Sequence, residues 1–262
     1  MDPQARAALL GEVVRIAVEA GERILAIYRT GFAVERKADA SPVTAADREA
    51  EALILRHLAA LTPDIPAVAE EAMAAGQKCT AGERFWLVDP LDGTKEFVNR
   101  IGEFTVNIAL VEAGLPTLGV VHLPVPGTSY AGAGPGTAAK YDKSGAAHPI
   151  AARAPESDGL VMLTSRFHGD DAKLAAFLAS YLGGRGETVK AQKTAGSALK
   201  FGLIAEGEAD FYPRLGPTME WDTAAGHAVV VAAGGRLETL EGAPLRYGKP
   251  EFRNGGFVVR GK

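Results

Sequence analysis

The chain holds one cysteine, Cys79, among its 262 residues, so no internal disulfide can form and a reducing compartment suits it. It lacks any apolar stretch near the ~20 residues needed to cross a bilayer. No run of lysine and arginine interrupts it, and the formal net charge is −4, which argues against a nucleic-acid or anionic-membrane surface. The opening MDPQARAALLGEVVRIAVEAGERILAIY carries charges throughout and offers no secretory h-region. Internal repeats and low-complexity tracts are missing as well. These absences predict a cytoplasmic protein with no transmembrane segment and no nucleic-acid partner; peripheral contact with the inner membrane stays compatible with them. What is present is ordinary: 47% hydrophobic and 23% charged residues, over a length that suits one large domain or two small ones sharing a core.

Leu10, Val13, Val14, Ala17, Ala20, Ile24 and Ile27 recur at three- and four-residue intervals, predicting an amphipathic helix over 4–29. A second helix is expected from about residue 44 or 45 to 61. Short strands follow at 67–69, 85–88, 104–111, 118–122, 129–133 and 138–141, with Gly and Pro in the gaps and a mobile loop at 72–83. From about residue 155 strands (160–164, 187–190, 210–212, 256–259) alternate with helices (170–181, 197–206, 222–233). The pattern is α/β (α+β), two subdomains packed as layers, divided as 1–154 and 155–262.

One stretch breaks the ordinary picture. FWLVDPLDGTKEF ends an apolar strand on Asp89 and Asp92, in a turn stiffened by Pro90 and loosened by Gly93. Two carboxylates in one turn repel, and desolvating them costs several kcal/mol each unless a cation intervenes. Thr94 stands where a helix N-cap belongs, and the Leu91 carbonyl adds a further oxygen. Oxygen ligands suit Mg²⁺ and a helix start suits phosphate. Taken alone, an Asp/Gly turn with a capping threonine accounts for the stretch equally well. Three other acidic sites shift the balance: Glu70-Glu71 after a short strand, Asp222 ahead of an apolar helix, and Asp47 in a first helical turn. A solvated loop, a cap and a dipole contact would explain each singly. Four acidic sites, each at the end of an element, favour a metal centre.

The set Asp47, Glu70-Glu71, DPLDGT from Asp89 to Thr94, and WDTAA from Trp221 resembles the lithium-sensitive, magnesium-dependent phosphatases. That family embraces inositol monophosphatases, fructose 1,6-bisphosphatases and 3′(2′),5′-bisphosphate nucleotidases. The segments SPVTAAD, WLVDPLDGTKEF, GEFTVNIAL, LGVVHLPV, GSALKFGLIAEG, YPRLGPT and WDTAAGHAV are most similar to the bacterial CysQ-type nucleotidases, and the resemblance spans nearly the whole chain. Ala69 departs from the Ser or Gly common there but contributes no carboxylate. The resemblance implies an inositol-monophosphatase-like layered αβαβα sandwich with mixed sheets. It implies two or three Mg²⁺, the first held by Glu70, Asp89 and the Leu91 carbonyl, the second by Asp89, Asp92 and Asp222. Thr94, bonded to Asp47, would orient a water for in-line attack, and the Gly93 and Thr94 amides would cradle the phosphoryl oxygens. Glu70, Leu91, Asp92, Gly93, Thr94 and Asp222 would thus also face substrate. A homodimer follows by analogy only. The histidines 57, 122, 148, 168 and 227 show no ligand spacing and read as structural or exposed.

A nucleoside bisphosphate brings a second phosphate that needs a cation. Lys200 and Arg214 are the candidates, with Ser197 adding a hydroxyl at the start of its helix. A solvated helix face and a surface ion pair are the bland alternatives for the two cations. Arg166 and His168 are weaker candidates for the base side. The expected activity is hydrolysis of the 3′-phosphate of adenosine 3′,5′-bisphosphate, a small nucleotide; a sugar or polyol monophosphate is the alternative substrate. A haloacid-dehalogenase mechanism fails on geometry, because its aspartates lie two apart and Pro90 stands where its nucleophile would be. A non-catalytic binding protein is disfavoured by the intact ligand set.

Overall fold

The computed structural model describes residues 2–30, 33–36, 42–77, 79, 81–166 and 171–262. In chain order the elements are α1 (Pro3–Tyr28), β1 (Glu35–Arg36), β2 (Pro42–Val43), α2 (Ala45–Leu61), β3 (Ala67–Ala69), α3 (Glu70–Ala74), β4 (Arg84–Asp92), α4 (Thr94–Val98), β5 (Thr105–Glu112), β6 (Leu115–Leu123), β7 (Thr128–Gly132), β8 (Ala139–Tyr141) and β9 (Ala147–Pro149). After these come β10 (Leu160–Ser165), α5 (Asp171–Gly183), β11 (Val189–Ala195), α6 (Leu199–Ala205), β12 (Phe211–Arg214), β13 (Thr218–Met219), α7 (Ala224–Ala232), β14 (Arg236–Thr239), β15 (Arg253–Asn254) and β16 (Phe257–Arg260). The expected onset of α5 at residue 170 lies outside the described residues.

Two mixed sheets organise the molecule. One runs β3-β4-β5-β6-β7-β8-β9, with only β3 and β4 parallel; the other runs β11-β10-β12-β16-β14, with β10 parallel to both neighbours. Side-chain alternation assigns the layers. On β4, Trp86 and Val88 face α1 and α2, whereas Phe85 and Leu87 face the interior that holds α6 and α7. On the second sheet, Tyr212 and Val259 face that same interior, while Phe211 and Val258 meet α5 on the far side. The order is therefore α1/α2, sheet, α6/α7, sheet, α5, an αβαβα sandwich. Because α7 is enclosed by both sheets, AAGHAVVVA carries almost no polar face. Gly119 on β6 permits this approach: a Cβ there would lie 2.4 Å from the Ala225 carbonyl oxygen.

Candidate active site

The site grows from an irregularity in β4. Asp89 pairs with Asn107 and Asp92 with Thr105, so three steps along β4 match two along β5. A regular strand would point these aspartates to opposite faces; the extra residue of the bulge turns both to one side. Pro90 is tolerated because a bulge asks no ladder N–H of it. The Leu91 N–H donates to Asp89 Oδ1 at 3.0 Å, bracing the turn. Gly93 follows at φ 90°, and a Cβ on it would sit 3.2 Å from Ser197 Cβ. Gly93, not Thr94, occupies the N-cap of α4. Thr94 is instead its first residue, and its hydroxyl lies 3.5 Å from Asp47 Oδ1 and 3.4 Å from the Leu91 carbonyl oxygen. Asp47 is fixed in turn by a capping box, its Oδ2 accepting from the Thr44 N–H at 2.8 Å and hydroxyl at 2.7 Å.

Ten of the eleven residues given a catalytic, metal or phosphate-binding role from the sequence line one cavity of about 540 Å³: Glu70, Asp89, Leu91, Asp92, Gly93, Thr94, Ser197, Lys200, Arg214 and Asp222. Asp47 stands behind it, in contact through Thr94. No cysteine or histidine lines this cavity among the described residues. His57 lies near Glu19, His122 and His227 are buried, and His148 pairs with Asp142 at the surface. His168 lies outside the described residues. An all-oxygen donor set of four carboxylates and a carbonyl fits Mg²⁺ and not a thiophilic metal. Among the described residues no three acidic side chains are yet drawn together as a closed cage. Burial, then Glu70, Asp92 and Asp222, push the Asp89 carboxyl well above its usual range, and Glu70 is hydrogen-bonded to it. Asp222 is pushed up by burial and by Asp92 and Glu70.

Local roles differ from the expectation at three positions. Asp222 does not cap α7, where Thr223 takes the N-cap position; it accepts from the Met219 N–H at 2.8 Å, which aims it into the cavity. Ser197 precedes α6 in a left-handed conformation (φ 49°) and donates to Asp92 Oδ2 at 2.7 Å, with Thr105 Oγ1 only 2.6 Å away. Its hydroxyl thus serves a carboxylate. Lys200 is not on a solvated face: it is buried, with Nζ donating to the Ala195 carbonyl at 3.2 Å and the Ser197 carbonyl at 2.6 Å. One of its three donors is left over. Arg214 forms no ion pair among the described residues. It reaches Ser165 Oγ at 3.4 Å and the Pro217 carbonyl at 3.5 Å, and its buried Nε has no partner.

Arg166 lines the same cavity, held by both Glu103 oxygens at 2.9 Å. Lys95, Tyr212 and Arg253 line it too and escaped the sequence reading. No motif announces Arg253; the pairing of β15 with β13 brings it there. Carboxylates, here the floor, and cations, here the wall, thus line one cavity.

The model of the inositol monophosphatase family matches residues 7–257. A curated relative from Salmonella typhimurium, "3'(2'),5'-bisphosphate nucleotidase CysQ", is 47% identical over 255 residues, covering 96% of this chain and 99% of the relative. A solved structure of CysQ from Bacteroides thetaiotaomicron, "a bacterial member of the inositol monophosphatase family", superposes with TM-score 0.81 at 35% identity, covering 97% of each chain. An inositol monophosphatase from Anabaena shares the fold, at TM-score 0.74 and 24% identity over 97% of this chain and 90% of that one.

Proposed function

The chain belongs to the inositol monophosphatase family, and within it we propose that this protein is a 3′(2′),5′-bisphosphate nucleotidase, releasing the 3′-phosphate of adenosine 3′,5′-bisphosphate, or of its phosphosulfate relative, to leave the 5′-nucleotide. The observation that carries this reading is the pairing of a carboxylate floor with a cationic wall in one cavity. The floor takes the phosphate that is cleaved and the wall takes the one that stays. A polyol monophosphate would leave the buried, unpartnered Arg214 Nε without a counter-charge.

Glu70, Asp89, the Leu91 carbonyl, Asp92 and Asp222 would hold Mg²⁺. Bound there, it would supply Lewis-acid polarisation of the phosphoryl group and a water activated for attack. Asp47 takes the Thr94 O–H, so the threonine lone pairs face the cavity and can accept from a water aligned behind phosphorus. Ser197 holds Asp92 through one oxygen and leaves the other to the floor. The Gly93 and Thr94 amides open on the floor and can donate to phosphoryl oxygens. Lys200 and Arg214 bind the second phosphate, joined at the cavity mouth by Lys95 and Arg253. In this account residues 1–154 supply most of the metal ligands and residues 155–262 complete the metal and substrate site. The test is phosphate release from adenosine 3′,5′-bisphosphate compared with inositol 1-phosphate, with and without Mg²⁺.

A further inference from the structure

Helix α2 sends two buried carboxylates from one face. Asp47 and Glu51 stand one turn apart and are 1% and 5% exposed. Asp47 reaches toward Thr94. Glu51 reaches the other way: its Oε2 accepts from the Glu71 N–H at 2.7 Å and its Oε1 from the Ala72 N–H at 2.8 Å. These amides belong to the first turn of α3, whose N-cap position is Ala69 and which has no side-chain cap of its own. Such N–H groups need acceptors. With five residues and none of them fully buried, α3 is too short to be stable alone; Ala72 and Met73 pack against the cores, and Glu51 adds the side-chain cap.

The arrangement carries an electrostatic penalty. Glu51 has no ion-pair partner among the described residues, and burial, with Glu71 and Glu70 beside it, pushes its carboxyl up to about 7. A serine at position 69 would cap the helix without that penalty. What a glutamate reaching from α2 adds is a fixed distance between α2 and the turn that begins with Glu70. The same helix then anchors two sides of the cavity, Thr94 through Asp47 and Glu70 through Glu51.

We propose that Glu51 is a positioning residue: by clamping the Glu71 and Ala72 main chain it holds the Glu70 carboxylate where a divalent cation needs it. The proposal rests on the metal site proposed above. Two variants test it, with Mn²⁺ as the paramagnetic probe of binding. Glu51→Asp keeps the charge but falls one methylene short of the amides; Glu51→Gln keeps the reach but loses the charge and one acceptor. Full-length protein is titrated with Mn²⁺ by electron paramagnetic resonance, and metal-free melting is followed in parallel. Glu51→Asp should weaken Mn²⁺ binding ~10- to 100-fold, as loss of a residue that orients a metal ligand does, while the metal-free melting temperature moves only a few degrees. A cap with a purely structural role would lower melting and leave the dissociation constant alone. Mn²⁺ affinity within about twofold of wild type in a folded Glu51→Asp variant overturns the proposal. Should that variant not fold, Glu51→Gln decides by the same criterion. Failure of the wild type to bind Mn²⁺ would overturn the metal site itself, a different result from failure of Glu51 alone.

Discussion

At the scale of the residue, chemistry was legible wherever side-chain type restricts what a position can do. Asp89, Asp92, Glu70 and Asp222 stood out because paired carboxylates at element ends are unfavourable without a cation, and all four line one cavity. Glu51 did not stand out. In REAEALILRHL it reads as one more polar residue of an amphipathic helix, and only the packed fold brings α3 against it. Arg253 was equally silent, since strand pairing and no local pattern carries it to the cavity. Arg214 was legible as a cation but not as an unsatisfied one. Its removal gives the residue-scale prediction. A charge-assisted contact in a partly buried pocket contributes about 1.5–3 kcal/mol, or roughly ten- to a hundredfold in kcat/KM. Arg214→Glu should lower hydrolysis of adenosine 3′,5′-bisphosphate by at least that factor and leave inositol 1-phosphate hydrolysis level or higher. Steady-state kinetics on the two substrates check it, and an equal fall on both would make Arg214 structural.

At the scale of the element, α1 was legible from its three- and four-residue repeat, and β5 to β8 from β-rich runs between Gly and Pro; β9 was not read. For β4 the legible stretch stopped at residue 88, because Pro90 and two charges look like a turn. The bulge that continues the strand to Asp92 depends on β5 beside it, which no local pattern encodes. The helix α3 was read as the edge of a loop for a similar reason: its cap comes from another element. Gly93 tests the bulge as a unit. Its left-handed φ and the 3.2 Å approach to Ser197 Cβ both exclude a larger residue without movement. Left-handed strain alone is on the order of 1–2 kcal/mol. Gly93→Ala should therefore lower the melting temperature by several degrees, and lower kcat out of proportion by displacing Asp92 and Thr94 together. Calorimetry and turnover on the same preparation separate the two effects; unchanged turnover in a folded variant would remove the turn from the site.

At the scale of the whole molecule, the layering was legible because a run of β-rich segments gives way to alternating strands and helices, and the resemblance supplied the order of the layers. The folded chain also holds protons that it would shed if unfolded. Asp89 and Asp222 are held well above their ordinary range, so the metal-free fold keeps their protons at pH values where the unfolded chain has lost them. For a group whose folded value is raised, stability is present at low pH and falls as pH rises toward that value. His122 and His227, lowered to about 4 and about 3, act in the opposite sense only below their unfolded value and leave higher pH untouched. In chelator, melting temperature should fall as pH rises above the ordinary histidine range, and Mg²⁺ should restore more of it the higher the pH, where protons compete less. A Mg²⁺ increment that does not grow with pH would contradict the carboxylate assignment. The central claim is that floor and wall together select a nucleoside bisphosphate. Its most direct test is kcat/KM for adenosine 3′,5′-bisphosphate against inositol 1-phosphate at saturating Mg²⁺. The account predicts preference for the bisphosphate by at least ~10-fold, the value of one charge-assisted phosphate contact; equal rates, or preference for the inositol phosphate, would contradict it.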